Sequence, residues 1–133
     1  MSGVPGGRPR RWPWLVPAAL YAAAIFALSS ESHPLPALTA RVNDKLLHLA
    51  EYGGFAAVLT WGLAALGVGP AAWRWAVVIA AAYGLTDELH QSFVPLRSCE
   101  LGDWLADAGG ALAGALLAAA FLRLLRSRST IAD

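Results

Sequence analysis

The chain has 133 residues, 57% of them apolar and 14% charged, with a net charge of +1 and a mean hydropathy of +0.51. Soluble domains carry roughly a quarter charged residues and nucleic-acid binders a basic stripe, so this composition excludes both an ordinary soluble globule and a nucleic-acid partner. A single cysteine, Cys99, excludes an internal disulfide and a cysteine-rich metal centre.

Residues 1–11, rich in Gly, Pro and Arg, read as a flexible basic tail. The first apolar block, Trp12 to about Ser29, follows Arg8, Arg10 and Arg11 as a signal peptide would. No small-residue cleavage site follows Leu28, so the block reads as a retained anchor. The second block, Leu46 to Val68, is interrupted by His48, Glu51 and Tyr52. The third, about Ala71 to Phe93, ends in a polar run of Asp87, Glu88, His90 and Gln91, and the fourth, Trp104 to Leu125, contains Asp107. Each block is near the ~20 residues that span a bilayer as a helix.

Turn chemistry separates the blocks: His33 to Pro36, then Gly67, Gly69 and Pro70, then Pro95. Trp12, Trp14, Trp73, Trp75 and Trp104 fall near block ends, where an aromatic ring favours the headgroup region. The expected fold is an all-α, four-helix transmembrane bundle over residues 12–126, with a short tail at 127–133.

Four spans place both termini on one side, together with Arg8, Arg10, Arg11, Arg74, Arg123, Arg126 and Arg128. The other side holds Arg41, Lys45 and Arg97, so both termini are expected to be cytoplasmic. Glu31, Asp44, Glu51, Asp87, Glu88, Glu100, Asp103 and Asp107 then collect on or near the outer side, and Asp133 does not. The start of the second block, the end of the third and the start of the fourth deliver ionisable groups to one leaflet.

Asp44, His48 and Glu51, spaced i, i+4, i+7, lie within about 60° of arc on one helix face, flanked by Lys45 and Tyr52. Asp87 and Gln91 share a face, as do Glu88 and Gln91. Asp103, Asp107, Gly110 and Gly114 form one stripe, whose glycines suit close approach by a neighbouring helix. Charge at membrane depth costs ~2.5–3.5 kcal/mol per residue, so these groups are expected to shelter one another with Lys45, Arg97 and His48 as counter-charges.

Two structural readings compete with a site. Asp44 and Asp103 stand in first turns, where a carboxylate caps free amides, and a polar network can simply hold a bundle together. Capping does not account for His48, Glu51, Glu88 and Asp107, which lie deeper. His90 reads as a rim residue and His33 as a loop residue. His48, Glu51, Glu88 and Asp107 are metal-ligand types without an HExxH pairing, so a divalent metal is a weak candidate and no other cofactor is expected. The same groups suit acid–base work. Ser92 and Ser98 carry no sign of activation.

The string Asp44-Lys45-Leu46-Leu47-His48 with Glu51-Tyr52 resembles the D-K-x-x-H-x-x-x-Y opening of the VanZ-like family. A second string, Glu88-x-x-Gln91, Phe93-Val94-Pro95-x-Arg97, Asp103, Asp107 and Gly110, resembles its E-x-x-Q-x-F-x-P-x-R and D-x-x-x-N-x-x-G segment. The resemblance covers about Asp44 to Gly114. Leu96 stands where the family usually has Gly, and Asp107 where it has Asn. Only a protonated Asp107 could imitate a donating amide.

The resemblance implies a four-helix protein of the bacterial cytoplasmic membrane, in a family named for a member associated with low-level teicoplanin resistance. Carried over by position, it marks Asp44, Lys45, His48, Tyr52, Glu88, Gln91, Arg97 and Asp103, with Asp107 as a variant. Together with Glu51 these residues form the candidate polar pocket. The expected function is handling of a lipid-linked or peptidoglycan-related ligand at an outward-facing site, with Arg97 and Lys45 holding an anionic group. The alternatives are an intramembrane acid–base or metal-dependent enzyme, and a helper subunit that packs on a larger membrane partner through Gly110 and Gly114.

Overall fold

The computed structural model describes residues 11–32 and 43–131, and among them it forms four α-helices and no strand. Arg8, Arg10, Arg41, Asp133 and the turn His33 to Pro36 lie outside the described residues. The helices are α1 (Val16–Ser29), α2 (Asp44–Leu66), α3 (Ala72–Gln91) and α4 (Leu101–Ile131).

Local chemistry sets the ends. Pro13 and Pro17 sit at the first positions of a 3₁₀ turn, Trp12–Leu15, and of α1, where a missing N–H is no loss. The Asn43 side chain, and not Asp44, caps α2, accepting from the Lys45 N–H at 2.9 Å. Gly67 ends α2 at φ 91°, and the Gly67 and Val68 amides bond back to the Ala64 and Leu63 carbonyls, a Schellman closure. A 3₁₀ turn at Gly69–Ala71 leads into α3. The last helix outruns the expected block at both ends and continues through Ile131, past residue 126. At 1.5 Å per residue its 31 residues reach about 46 Å, longer than the ~30 Å hydrocarbon layer.

Trp12–Ser29, Asp44–Leu66 and Leu101–Arg128 are long and apolar enough to cross a membrane. The helix α3 carries Arg74, Asp87 and Glu88 within 20 residues and falls below that standard. The packing is arranged for lipid. Leu20, Phe26, Val78, Leu85, Leu117, Phe121 and Leu124 point outward, more than half exposed, while Ala56, Ala76, Ala80, Ala111 and Ala115 are fully buried. Hydrocarbon gives large apolar side chains no reason to turn inward, so small residues that bring backbones together occupy the interior.

The closest seam joins α2 and α4. A Cβ on Gly110 would overlap the Leu49 carbonyl, and one on Gly114 the Gly53 carbonyl. On that stripe Gly110 and Gly114 are buried against the chain's own α2. A second small stripe, Ala72, Ala76, Ala80 and Gly84, carries α3 into the bundle. At one end the 3₁₀ turn that precedes α1 also approaches α2 closely, since a Cβ at Gly62 would stand 2.7 Å from the Trp14 carbonyl, with Trp14 edge-on to Trp61. Beyond Tyr21 a cleft separates α1 from α2.

Candidate functional site

The seams converge on the end of the bundle where α2 and α4 begin and α3 finishes. Lys45 reaches from α2 to Asp103 of α4 at 2.7 Å and to Glu100 at 3.4 Å. One turn deeper, His48 Nδ1 meets Asp107 Oδ1 at 2.9 Å, and both residues are buried. Asp44 lies 3.9 Å from His48 Nε2, with its own side chain 63% exposed. The α3 side joins through Glu88, whose Oε2 accepts the Glu100 backbone N–H at 2.9 Å.

A second group stands beside the first. The Tyr52 hydroxyl donates to Asp87 Oδ2 at 3.3 Å, and Gln91 Nε2 donates to the same oxygen at 3.2 Å. Gln91 Oε1 in turn accepts from Arg97 Nη2 at 2.5 Å and Nε at 3.2 Å. The chain Tyr52–Asp87–Gln91–Arg97 ties α2, α3 and the α3–α4 loop into one relay of hydrogen bonds.

The ten candidate residues therefore gather at one end, in two roles. Lys45, Glu88, Asp103 and Asp107 sit in the α2–α3–α4 seam. Asp44, His48, Glu51, Gln91 and Arg97 line the cleft of about 470 Å³, together with Asp87. Tyr52 is fully buried behind it. The α1 side is apolar apart from Ser29, with Tyr21, Ala24, Ile25 and Leu28, and on α2 Leu47 and Ala50 add apolar surface beside the polar residues. That volume and lining suit a small-molecule site.

The expected pair of cations separates. Lys45 is held by Asp103 and Glu100 and does not line the cleft. Arg97 lines it and has no ion-pair partner among the described residues. Glu51, half-buried in the cleft, likewise has no hydrogen-bond or ion-pair partner among them.

The candidate pocket read from the sequence left out Gly84, and also Asp87 and Glu100, which it placed only among the outer-side acids. Asp87 carried the signal of a face shared with Gln91. Gly84 is needed because a Cβ there would stand 3.0 Å from Asp107 Oδ2 and 3.2 Å from the Tyr52 ring. Its signal was the four-residue spacing of Ala72, Ala76, Ala80 and Gly84. Of the four expected metal-ligand types, His48, Glu88 and Asp107 come together, and Glu51 stands apart. Ser92 and Ser98 bond to the Leu89 carbonyl and to Glu100, away from His48. His90 sits at the rim, stacked on Phe26 and 3.1 Å from the Ser30 hydroxyl.

A lipid-facing exterior over a small-residue interior, with ionisable groups pooled at one end, defines a multi-pass helical membrane protein. A family model described as VanZ/LLP1 matches residues 8–123, a span that includes α1, α2, α3 and most of α4. The chain belongs to this family. No curated protein and no solved structure matches it. The position where the family pattern has Gly, Leu96, adopts φ 66°, the left-handed backbone that glycine enters without strain.

Proposed function

We propose that the protein is an envelope component of the bacterial cytoplasmic membrane whose cleft receives a lipid-linked, phosphate-bearing sugar. The carrying observation is the two-sided cleft, with Tyr21, Ala24, Ile25 and Leu28 along one wall and Asp44, Glu51, Gln91 and Arg97 at the other. In this reading the lipid chain lies along the apolar wall. Arg97, which lines the cleft with no ion-pair partner among the described residues, holds phosphate through a guanidinium fork that Gln91 orients. Asp44 and Glu51 accept from sugar hydroxyls. In this reading both termini are cytoplasmic and the cleft opens outward, which the excess of arginine at the opposite ends of the helices supports through the positive-inside rule. Altered handling of a wall precursor is also the route by which such a protein would change glycopeptide susceptibility.

The test uses full-length protein in nanodiscs and two probes, a polyprenyl-phosphate sugar and the same polyprenol without phosphate. The phosphorylated probe should bind at least tenfold more tightly, and Arg97→Ala should erase that preference. Equal binding of the two probes by the wild type would remove the phosphate site from the account.

A second reading is supported by the buried His48–Asp107 pair at 2.9 Å, with His48 bordering the cleft. A carboxylate orienting an imidazole is the arrangement of a general base. Release of sugar or phosphate from the bound probe, lost in His48→Gln, would make the protein an enzyme.

A further inference from the structure

We propose that His48, Glu88 and Asp107 form a binding site for one divalent transition-metal ion of the zinc class. The three residues come from α2, α3 and α4, all are buried, and each offers a ligand atom within 4.8 Å of the others. Two carboxylate oxygens in the group, Glu88 Oε1 and Asp107 Oδ2, are buried with no hydrogen-bond partner among the described residues. An unpartnered buried carboxylate oxygen is expensive, and more so at membrane depth. The second oxygen of Glu88 is held by the Glu100 amide, so this carboxylate is fixed in place with one lone-pair face open. Ligating carboxylates are commonly held in this way by outer hydrogen bonds.

Charge balance points the same way. In their ionised forms Glu88 and Asp107 together call for two positive charges. Lys45 already serves Asp103 and Glu100, Arg97 is turned toward Gln91, and His48 supplies at most one. A divalent ion neutralises both carboxylates and leaves His48 neutral, as a nitrogen ligand must be. One imidazole nitrogen with two carboxylate oxygens suits a zinc-class ion, whereas magnesium and calcium favour oxygen alone.

Donors around such an ion, at ~2.0–2.2 Å from it, lie roughly 3–4 Å apart, so the three side chains draw in by up to about 1 Å. Ion binding replaces the His48–Asp107 hydrogen bond with two metal bonds. Gly84 leaves the room that Asp107 needs for this adjustment. Asp44, His48 and Asp103 form a similar group. It is a poorer site because the Lys45 ammonium already sits 2.7 Å from Asp103. The inference stands apart from the identity of the cleft ligand.

The test is metal content and response of the full-length protein, purified in detergent without chelator and titrated with Zn2+ or Co2+ alone. Wild type should take up about one ion per chain, show a Co2+ absorption band of mixed nitrogen and oxygen ligation, and gain thermal stability with Zn2+. Glu88→Gln and Asp107→Asn should each weaken uptake at least tenfold, while Asp44→Asn keeps it. Helicity by circular dichroism separates lost binding from lost folding. Should either variant fail to fold, the wild-type titration decides alone. A folded wild type that shows neither uptake nor a Zn2+ stability shift overturns the site. So does uptake that survives in a folded Glu88→Gln/Asp107→Asn protein, or that Asp44→Asn abolishes as fully.

Discussion

The two flanks of α2 are built on opposite plans. Toward α4, glycines remove side chains until backbone meets backbone, and the deeper acids of that seam, Glu88, Asp103 and Asp107, are buried. Toward α1, the 3₁₀ turn that precedes it meets α2 at Trp14 and Gly62, and beyond Tyr21 a cleft opens, lined on the α1 side by the exposed Ala24 and Leu28 beside the buried Ile25. The same α2 thus supplies a rigid seam on one side and an accessible surface on the other, and His48 belongs to both. Close packing holds the ionisable groups in place, and the gap beside it gives a ligand access to them.

The largest effect should come from His48→Ala, which removes the hydrogen-bond partner of Asp107 Oδ1 and leaves that buried acid without one among the described residues. Breaking a buried pair from one side costs about 3–5 kcal/mol. The expected outcome is a sharply lowered melting temperature in detergent and reduced membrane abundance. Wild-type stability would mean that the seam does not depend on this pair.

Next is Gly114→Val, which drives a branched side chain into the Gly53 carbonyl. Overpacking against backbone has no flexible side chain to absorb it, and about 3 kcal/mol of destabilisation is expected. Gly109→Ala is its control. Nothing lies within 4 Å of the added methyl, so the change should be neutral or stabilise by up to about 1 kcal/mol. Equal effects from the two substitutions would show that close approach between α2 and α4 is not what holds the seam.

Much of this contrast was legible in the sequence. That the start of α2, the end of α3 and the start of α4 pool their ionisable groups followed from block order and from the cost of charge in lipid, whereas the pairing of Lys45 with Asp103 and of His48 with Asp107 did not. The glycine stripe of α4 announced a close neighbour, but helical spacing carries no record of which helix fills it, and an external partner was as consistent with the letters as α2. Asn43 was overlooked as a cap because the adjacent Asp44 has the same chemistry, and only the backbone turn decides between them. The polar side of the cleft was expected, but its apolar α1 side and its opening were illegible for a deeper reason. The cleft exists because α1 diverges from α2, and interhelical angle is a property of packing on both faces, not of either sequence alone.

The α3–α4 loop offers a smaller test of the same frame, since it carries Arg97 to the cleft mouth. Leu96 holds φ 66° and is 80% exposed, so its side chain adds little packing in return for a strained backbone. The left-handed conformation costs a non-glycine residue about 1–2 kcal/mol, part of which the looser unfolded chain of a glycine variant gives back. Leu96→Gly should therefore stabilise by about 0.5–1 kcal/mol, read as a higher melting temperature, with phosphate-probe binding retained. A loss of stability would show that the Leu96 side chain is anchored, in the membrane interface for instance, more firmly than its exposure implies.

The smallest stability effect, and the most informative for function, is expected at the cleft wall. Ala24 faces the gap on α1 and is exposed, so Ala24→Phe displaces no neighbour and buries no polar group. Substitutions of that kind change stability by about 0.5 kcal/mol or less. The new ring would nevertheless take up space along the apolar wall where the lipid chain is proposed to lie. Unchanged melting together with at least tenfold weaker binding of the polyprenyl-phosphate sugar would separate the two flanks of α2 by role, one for the fold and one for the ligand. Unchanged melting with unchanged binding would place the ligand elsewhere and leave the cleft as a gap between helices. A large drop in melting temperature would mean that α1 closes on α2 along its whole length, which would erase the contrast itself.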